Sequence, residues 1–420
     1  MEEIVAAIRG FSPDKNWPAL KEYFNGSTSA LAKNASKIDI TMSALDLPEN
    51  TLGYLYLMVF KVSLSNVGDF ELLFDQFQQL VKNGCKEQIQ QGLEKFCHLC
   101  HVLVKCLIEI KQAIRGILVF SEAILKVQTN SSQMTSLHSD LFQLCLSAKC
   151  FKPALKFLDV DVTDINNEDG GFDARSFLLY FYYGGMIFLA LKQFEKAMFC
   201  LQAVVTTPAI PVSHIMLEAF KKYLLLSLLL NGKICNLPKY TSPVISRSIK
   251  PQSSPYTELA EAYSTYDPAH LRAVANKHQS VFHTDKNIGL VKQVMASLVK
   301  KRIQKLTKTF LTLSLSNMAA RVNLRDASEA EKFLLNMIAE GTIFATIDQD
   351  AAMVSFHDNP QDYYSAEFFS KFDSEITNCI HLNERLQIMD RELQTNPQYV
   401  QRMLNLAQLD DAGRSDEIVG

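Results

Sequence analysis

The sequence predicts an all-α solenoid of tetratricopeptide-like helical repeats, followed by a winged helix and a C-terminal helix that enters a bundle. Three observations lead to this fold class. Of the 420 residues, 16 are Gly and 13 are Pro, below the usual shares of about 7% and about 5%, so helix breakers are few. The middle of the chain repeats itself, and the stretch Leu313–Phe356 changes from helical to strand periodicity.

The repeat joins residues 148–158 (AKCFKPALKFL) to residues 191–201 (LKQFEKAMFCL). Each copy follows a long apolar helical stretch, and Gly185 precedes Ala197 at a spacing close to that of the small residues where paired tetratricopeptide helices touch. Such units cannot bury their apolar faces alone, so we expect them to stack into a solenoid. The identical pairs are Lys149/Lys192, Phe151/Phe194, Ala154/Ala197 and Leu158/Leu201.

The helical half of the stretch Leu313–Phe356 contains two predicted helices. Ser316 is the expected cap of a short helix that ends at Val322. Ser328 followed by Glu331 has the spacing of a capping box, in which the two side chains satisfy backbone N–H groups. An apolar stripe follows on the second helix, and Gly341 ends it because glycine adopts the left-handed turn at low cost.

Strand periodicity begins directly after the second helix. Ile343, Ala345 and Ile347 alternate with more polar residues, which indicates a half-buried strand. A turn over residues 348–350 leads to a second strand, Met353–Phe356. Two helices followed by a hairpin predict a winged helix at residues 307–358.

The remaining segments complete the predicted domain organisation. The solenoid occupies residues 1–240, and a module of residues 241–360 contains the winged helix. The Pro- and Ser-rich stretch at residues 238–255 is interpreted as an irregular connection. An assembly helix is expected at residues 366–404, and residues 405–420 form a polar tail.

The segment Ala366–Leu393 has apolar residues at the a and d spacing of a coiled coil. One alternative is an internal brace that packs on the winged helix. The other is a bundle with helices of other chains, which would also bury the flanking apolar residues Ile380 and Met389. The anchors of the main stripe are Phe369, Phe372, Ile376, Leu386 and Leu393.

The search for catalytic, cofactor or metal sites gives none. No two histidines are separated by one residue, as the His-x-His of a deneddylating metalloprotease would require, and no HExxH, GxSxG or GxxxxGK[ST] motif occurs. Residues 97–101 (CHLCH) match the haem c attachment pattern, but they lie in an apolar helical stretch. We therefore interpret Cys97 and Cys100 as buried structural residues, with half-exposed histidines beside them.

A basic run at residues 300–308 is the densest cationic segment. Lys301, Lys305 and Lys308 are predicted to share a helix face. That face is interpreted as a solvated surface or as a contact for an acidic partner or an anion. Nucleic acid is not expected, because the second winged-helix segment is acidic and phosphates would repel it.

Charge and cysteine content indicate a reduced, intracellular protein. The net charge of −3 builds no global field for nucleic acid or anionic membranes. Nine cysteines, an odd number in apolar helical patterns, suit a cytoplasmic or nuclear protein. Two uncharged apolar stretches, at residues 176–191 and 223–232, are shorter than the ~20 residues of a membrane span, so they predict buried helices.

Several segments of the chain resemble the PCI-domain family, whose members include subunits of the proteasome lid, the COP-nine signalosome and initiation factor three. The similarity is strongest to the family of signalosome third subunits. It rests on residues 144–165 (LCLSAKCFKPALKFLDVDVTDI), 182–187 (YYGGMI), 206–223 (TTPAIPVSHIMLEAFKKY), 237–243 (LPKYTSP), 301–322 (KRIQKLTKTFLTLSLSNMAARV) and 354–360 (VSFHDNP).

The resemblance implies a non-catalytic scaffold subunit of the complex that removes the ubiquitin-like Nedd modifier from cullins. It also implies other PCI subunits as partners, through winged-helix edges and a bundle of C-terminal helices, with cullin-RING ligases contacted indirectly. The hairpin interface candidates are Ile343, Ile347, Val354 and Phe356. The alternative is a PCI scaffold subunit of the proteasome lid or of a translation initiation complex.

Overall fold

The computed structural model describes residues 2–11, 17–26, 38–64, 70–165, 173–209, 212–358 and 365–405. The chain divides into two compact units, Met1–Ile303 and Gln304–Gly420. Most described residues are helical, which confirms the predicted fold class. None of the described helices combines the length and apolar character that a membrane span requires. The predicted domain limits stay predictions, and residues 406–420 of the predicted tail lie outside the described residues.

The first unit is a succession of helices, most of which pack on neighbours in the sequence. Its longer helices bury continuous apolar faces in two adjoining core clusters. The helices are α1 (Glu2–Phe11), α2 (Trp17–Gly26), α3 (Ile38–Ser43), α4 (Thr51–Leu64), α5 (Phe70–Asn83), α6 (Lys86–Gln91), α7 (Leu93–Glu109), α8 (Ala113–Val127), α9 (Ser136–Ala148), α10 (Lys152–Leu158), α11 (Ala174–Ala190), α12 (Phe194–Thr206), α13 (His214–Asn231), α14 (Lys250–Gln252), α15 (Ser254–Ser264), α16 (Pro268–Lys277), α17 (Gln279–Thr284) and α18 (Ile288–Thr307), which continues past the unit boundary.

The turns that join the repeated helices share one backbone conformation. Lys111, Lys149 and Lys192 each adopt left-handed backbone angles, with φ of 61°, 55° and 61°. The residue after each lysine donates its amide hydrogen to a carbonyl oxygen of the preceding helix, closing a Schellman-type helix end. Lys149 and Lys192 are an aligned pair of the predicted repeat. The structure therefore confirms that repeat and extends it by one turn, at Lys111.

Two adjacent glycines allow α11 to contact the helices on both sides. A Cβ on Gly184 would lie 2.7 Å from Cδ2 of Leu158 in α10, and one on Gly185 would lie 3.2 Å from Cγ of Leu201 in α12. Leu158 and Leu201 are themselves an identical pair of the repeat. The small residues thus set the close packing of these helices, as the spacing of Gly185 predicted.

The stretch at residues 238–255 is more regular than the sequence indicated. After Gly232, whose φ is 70°, a segment without regular secondary structure leads to a turn at residues 239–240. A π-helix then spans Ile245–Ile249 and buries both of its terminal isoleucines. The predicted irregular connection is therefore wrong for residues 245–249, where Ile245 lines a cavity together with Phe220 and Leu224 of α13.

A buried group of charged side chains joins α13 to later helices. Lys221 Nζ lies 2.7 Å from Glu218 Oε1 and 2.8 Å from Asp285 Oδ2. Tyr256 donates its hydroxyl to the same Asp285 oxygen at 2.8 Å, and Lys222 Nζ lies 3.2 Å from Glu218 Oε2. Burial alone would lower the pKa of Lys221, but the two carboxylates more than offset that effect and raise it above its ordinary value.

The second unit contains a winged helix with a three-stranded sheet. Helices α19 (Leu315–Val322) and α20 (Ala327–Ala339) pack together, and strands β4 (Phe344–Asp348) and β5 (Met353–His357) form the predicted hairpin. Strand β3 (Thr312–Ser314) pairs with β5, so the order is β3-β5-β4. Two short strands of the first unit, β1 (Gln133–Met134) and β2 (Asp164–Ile165), pair in parallel.

Both predicted helix caps are wrong by two residues. Ser314, rather than Ser316, is the cap of α19, and its hydroxyl accepts from the amide of Asn317 at 3.3 Å. Asp326 precedes α20, and Ser328 lies inside that helix. The helix end is as predicted, since Gly341 follows α20 with φ of 67°.

Helix α21 spans Ala366–Thr395, in agreement with the predicted Ala366–Leu393. The hydroxyl of Ser365 caps it by accepting from the amide of Phe368 at 3.2 Å. A further helix, α22, covers residues 397–405 after a break at Asn396. At ~1.5 Å per residue, α21 is about 45 Å long.

Candidate assembly interface

The winged-helix sheet has an unpaired edge at β4. Among the described strands, β4 pairs with β5 alone, in the antiparallel register Phe344↔His357 to Asp348↔Met353. Strand β5 is central, so its backbone groups are used on both sides. The other strand edge, on β3, is only three residues long. The outer edge of β4 is therefore the longer surface on which another strand can pair.

The predicted hairpin candidates divide into core residues and one half-buried residue. Val354 is fully buried, and Ile343 and Phe356 are 5% and 8% exposed. Ile347 is partly exposed on β4. These three buried side chains belong to the core of the winged helix. The β4 backbone and Ile347 remain accessible for contact with another chain. Their role in an interface stays a prediction.

Helix α21 presents its apolar residues to solvent. Every described residue from Ala366 to the end of α22 is exposed, and α21 has no buried residue. The predicted anchors belong to this set, with exposed fractions of 57% for Phe369, 54% for Phe372, 44% for Ile376, 53% for Ile380, 55% for Leu386, 59% for Met389 and 47% for Leu393.

This exposure has an energetic consequence. Burying one such side chain fully contributes roughly 1.5–3 kcal/mol, so seven exposed anchors favour association over isolation. Asn383 and Asp390 interrupt the stripe at a positions, where polar residues fix helix register at some cost in stability. The sequence left a brace and a bundle open, and among the described residues no side chain of α21 is buried as a brace requires.

The apolar surface of the second unit is wider than the sequence analysis proposed. Leu311 is 82% exposed beside β3, and Leu335 is 52% exposed on α20. On α21, Leu382 and Ile388 are 56% and 52% exposed, outside the a and d stripe. Sequence periodicity did not place these residues in an interface, because single apolar residues on a protein surface are common.

The three predicted lysines of the basic run differ in burial. Lys301 donates to the carbonyl oxygen of Leu230 at 2.6 Å and is half-buried. Lys305 is exposed on α18, and Lys308 is exposed in the turn after that helix ends. The prediction that all three share one helix face is wrong for Lys308, since α18 stops at Thr307. A contact of these lysines with an acidic partner or an anion stays a prediction.

The cysteines of the CHLCH motif lie in the core of the first unit. Cys97 and Cys100 are 4% and 0% exposed on α7, and burial raises the pKa of Cys97 to about 11. A thiol in that state is a poor metal ligand or nucleophile at neutral pH. His101 Nδ1 lies 2.5 Å from Asp140 Oδ2. Across the described residues, no three His, Cys, Asp or Glu side chains are placed to hold a metal ion.

The acidic character of α20 persists in the folded module. Glu331 accepts a hydrogen bond from Gln349 at 2.9 Å, and Glu329 accepts one from the amide of Arg325 at 3.1 Å. Lys332 is the one basic side chain on that helix. A helix with this balance would repel phosphates in the major groove, whereas it is compatible with a protein neighbour.

Comparison with known proteins gives consistent matches along the chain. A family model described as "COP9 signalosome complex subunit 3, N-terminal helical repeats" matches residues 14–245, and one described as "PCI domain" matches residues 275–358. The chain is 38% identical over 421 residues to "COP9 signalosome complex subunit 3" of Drosophila melanogaster, covering 96% of this chain and 94% of the relative. It is 37% identical over 405 residues to the Arabidopsis thaliana protein of the same name, covering 95% and 92%.

Proposed function

The chain belongs to the family of COP9 signalosome complex subunit 3, and from this premise we propose that it is a non-catalytic scaffold subunit of that complex. The complex removes the ubiquitin-like Nedd modifier from cullins and thereby regulates cullin-RING ubiquitin ligases. The observation that carries the scaffold role is α21, whose apolar residues lie exposed along its whole length.

Two surfaces of the chain, on α21 and on β4, would contact other subunits. Helix α21 would enter a bundle with C-terminal helices of other PCI subunits and bury Phe369, Phe372 and the later anchors. Strand β4 would pair edge to edge with a neighbouring winged helix, where main-chain hydrogen bonds give orientation and alternate side chains give the choice of neighbour. Cullin-RING ligases would then be contacted through the assembled complex.

The absence of catalysis in this chain is part of the proposal. The sequence contains no His-x-His or HExxH metal motif, and the buried thiols of α7 have raised pKa values. The isolated chain should therefore contain no stoichiometric zinc or haem and should not cleave a neddylated cullin. We also propose that the protein acts in the cytoplasm and the nucleus, in keeping with its reduced cysteines.

A truncation tests the scaffold role. A chain that stops after residue 360 keeps the helical repeats and the winged helix, whose cores lie before that point. It should remain soluble and give an unchanged cooperative unfolding transition, yet fail to co-purify with the other subunits under native conditions. An assembled truncated chain, or an insoluble one, would contradict the proposal.

A further inference from the structure

A cavity of about 520 Å³ opens in the first unit between α13, α15 and the segment that includes the π-helix. Its floor is apolar and is formed by Phe220, Tyr223 and Leu224 of α13 together with Ile245. Ile234, which is 41% exposed, stands at its rim. Ligand cavities in proteins span about 300–1,000 Å³, so this one can take a bulky apolar side chain.

The segment at residues 233–237 lies along this cavity with its backbone unpaired. It follows the left-handed Gly232 and belongs to no helix or strand. No backbone hydrogen bond found between described residues uses an amide or carbonyl group of residues 233–237. An extended peptide could therefore pair with this main chain, as partners do at open strand edges.

The hydroxyl groups around the cavity complement this main chain. Thr241, Ser246 and Thr257 each donate their proton to a nearby backbone carbonyl oxygen, at 2.7–2.9 Å. Their oxygen lone pairs remain as acceptors, which suits a ligand that brings N–H donors. A peptide backbone supplies such donors at regular spacing.

Basic side chains in the segment that borders the cavity favour an acidic occupant. The segment at residues 233–250 contains no Asp or Glu and carries four cations, Lys233, Lys239, Arg247 and Lys250, all exposed. None of the four forms an ion pair with a described residue. Glu261 is the one acidic side chain that lines the cavity. Lys250 lines the cavity itself, and the segment that borders the cavity is basic within a chain of net negative charge.

From this combination we infer that the cavity is a docking site for an acidic linear peptide of a partner protein, anchored by one bulky apolar side chain. The anchor enters between Phe220, Leu224 and Ile245, the peptide backbone pairs with residues 233–237, and acidic flanking residues lie over the four cations. The site shares no residue with β4 or α21.

The test uses the purified full-length chain and fluorescein-labelled nonapeptides with a central Phe, Leu or Trp and four acidic or four Ser residues on each side. Fluorescence polarisation should show binding by the acidic peptides that weakens at least ten-fold when the centre is Ala or the flanks are Ser. In the same samples, bound peptide should slow N-ethylmaleimide alkylation of Cys235, which lines the cavity, and leave that of Cys85 unchanged.

Matched charge reversals locate the site. The variant K233E/K239E/R247E/K250E should lose at least ten-fold in affinity, whereas K152E/R272E/K292E/K332E, which reverses four exposed cations elsewhere, should bind as the parent does. Equal loss in both variants, or no acidic peptide binding below millimolar concentration, would overturn the inference. Binding of phosphatidylserine vesicles, or self-association through the same four residues, would assign the surface to another occupant and overturn it as well.

Discussion

The ammonium group of Lys221 lies 2.8 Å from Oδ2 of Asp285, although the two residues are 64 positions apart in the sequence. Lys221 belongs to the region matched by the helical-repeat model, and Asp285 to the region matched by the PCI model. Their side chains are 10% and 14% exposed. The ion pair therefore joins the two family-defined regions inside the first compact unit.

Removing Lys221 should destabilise the first unit strongly. The K221M substitution leaves the Asp285 carboxylate largely buried with the Tyr256 hydroxyl as its hydrogen-bond donor, and breaking a buried pair from one side costs about 3–5 kcal/mol. Chemical denaturation would measure this change in the free energy of unfolding. As a control, K196M removes an exposed pair with Asp159, which should change stability by less than about 1 kcal/mol.

A second substitution, at Asp285, distinguishes loss of the ion pair from loss of the packing of the Lys221 side chain. The double variant K221M/D285N has no uncompensated carboxylate at position 285, so part of the lost stability should return. If K221M and the double variant are equally unstable, the packing of the lysine stem, rather than the ion pair, holds α13 to the later helices.

The buried side chain of His138 should make the free energy of unfolding depend on pH. It is 3% exposed, its Nδ1 accepts from the amide of Thr135 at 3.1 Å, and burial lowers the pKa of His138 to about 4 from 6.5. The folded chain holds the neutral imidazole, while the unfolded chain takes up a proton below pH 6.5. The neutral imidazole therefore contributes about 3 kcal/mol to the free energy of unfolding above pH 6.5. This contribution is lost as the pH falls from 6.5 to 4.

Urea denaturation at pH 7 and pH 4.5 would measure this effect. The variant H138Q should be less stable at pH 7 but should lose about 2–3 kcal/mol less than the parent on acidification. H98Q, at an exposed histidine of α7, should follow the parent at both values. An H138Q chain with the parent's full pH dependence would show that other groups control acid unfolding.

Gly185 tests the packing of the repeat. A valine there would push against Cγ of Leu201, only 3.2 Å from the added Cβ, and overpacking of this kind costs about 1–3 kcal/mol. The matched change G289A meets open space in α18 and should stabilise by about 0.5–1 kcal/mol, since Ala favours the helix. Equal thermal shifts for the two variants would contradict the close approach of α11 and α12.

Two substitutions in the hairpin should distinguish a residue needed for folding from one needed for assembly. V354K places a charge in the core of the winged helix and should lower the thermal unfolding temperature sharply. I347K changes a half-buried residue of the edge strand, so we expect a smaller loss of stability and weaker binding to neighbouring PCI subunits. Pull-down and thermal unfolding of both variants would check this, and an I347K chain that binds normally would remove β4 from the interface.

Local patterns predicted the helices and the hairpin well, because their signals lie within a few residues. Gly341 and the alternation around Ile347 placed the turn and the strand correctly. Strand β3 was missed, since three residues show no periodicity and Leu313 pairs with Val354 far along the chain. That pairing also decides the cap, because the strand ends at Ser314 and the helix begins there.

Contacts between residues far apart in the sequence could not be predicted from local sequence patterns. Lys221 and Lys222 follow the pattern of residues that flank an apolar stretch, yet both are buried, at 8% and 4% exposure. Asp285, a carboxylate partner of Lys221, lies too far along the sequence for periodicity to connect the two. The cavity was missed for the same reason, because its floor comes from α13 and its rim from a Pro-rich segment that reads as a loop.

Assembly of the chain with other subunits through α21 can be tested on the complex itself. Native mass spectrometry of the reconstituted complex would compare F372Q/I376Q/L386Q/L393Q with K371Q/E375Q/E384Q/R391Q, two sets of exposed residues on the same helix. We expect both variants to fold and only the first to be missing from the complex. Normal incorporation of the first variant would contradict this expectation.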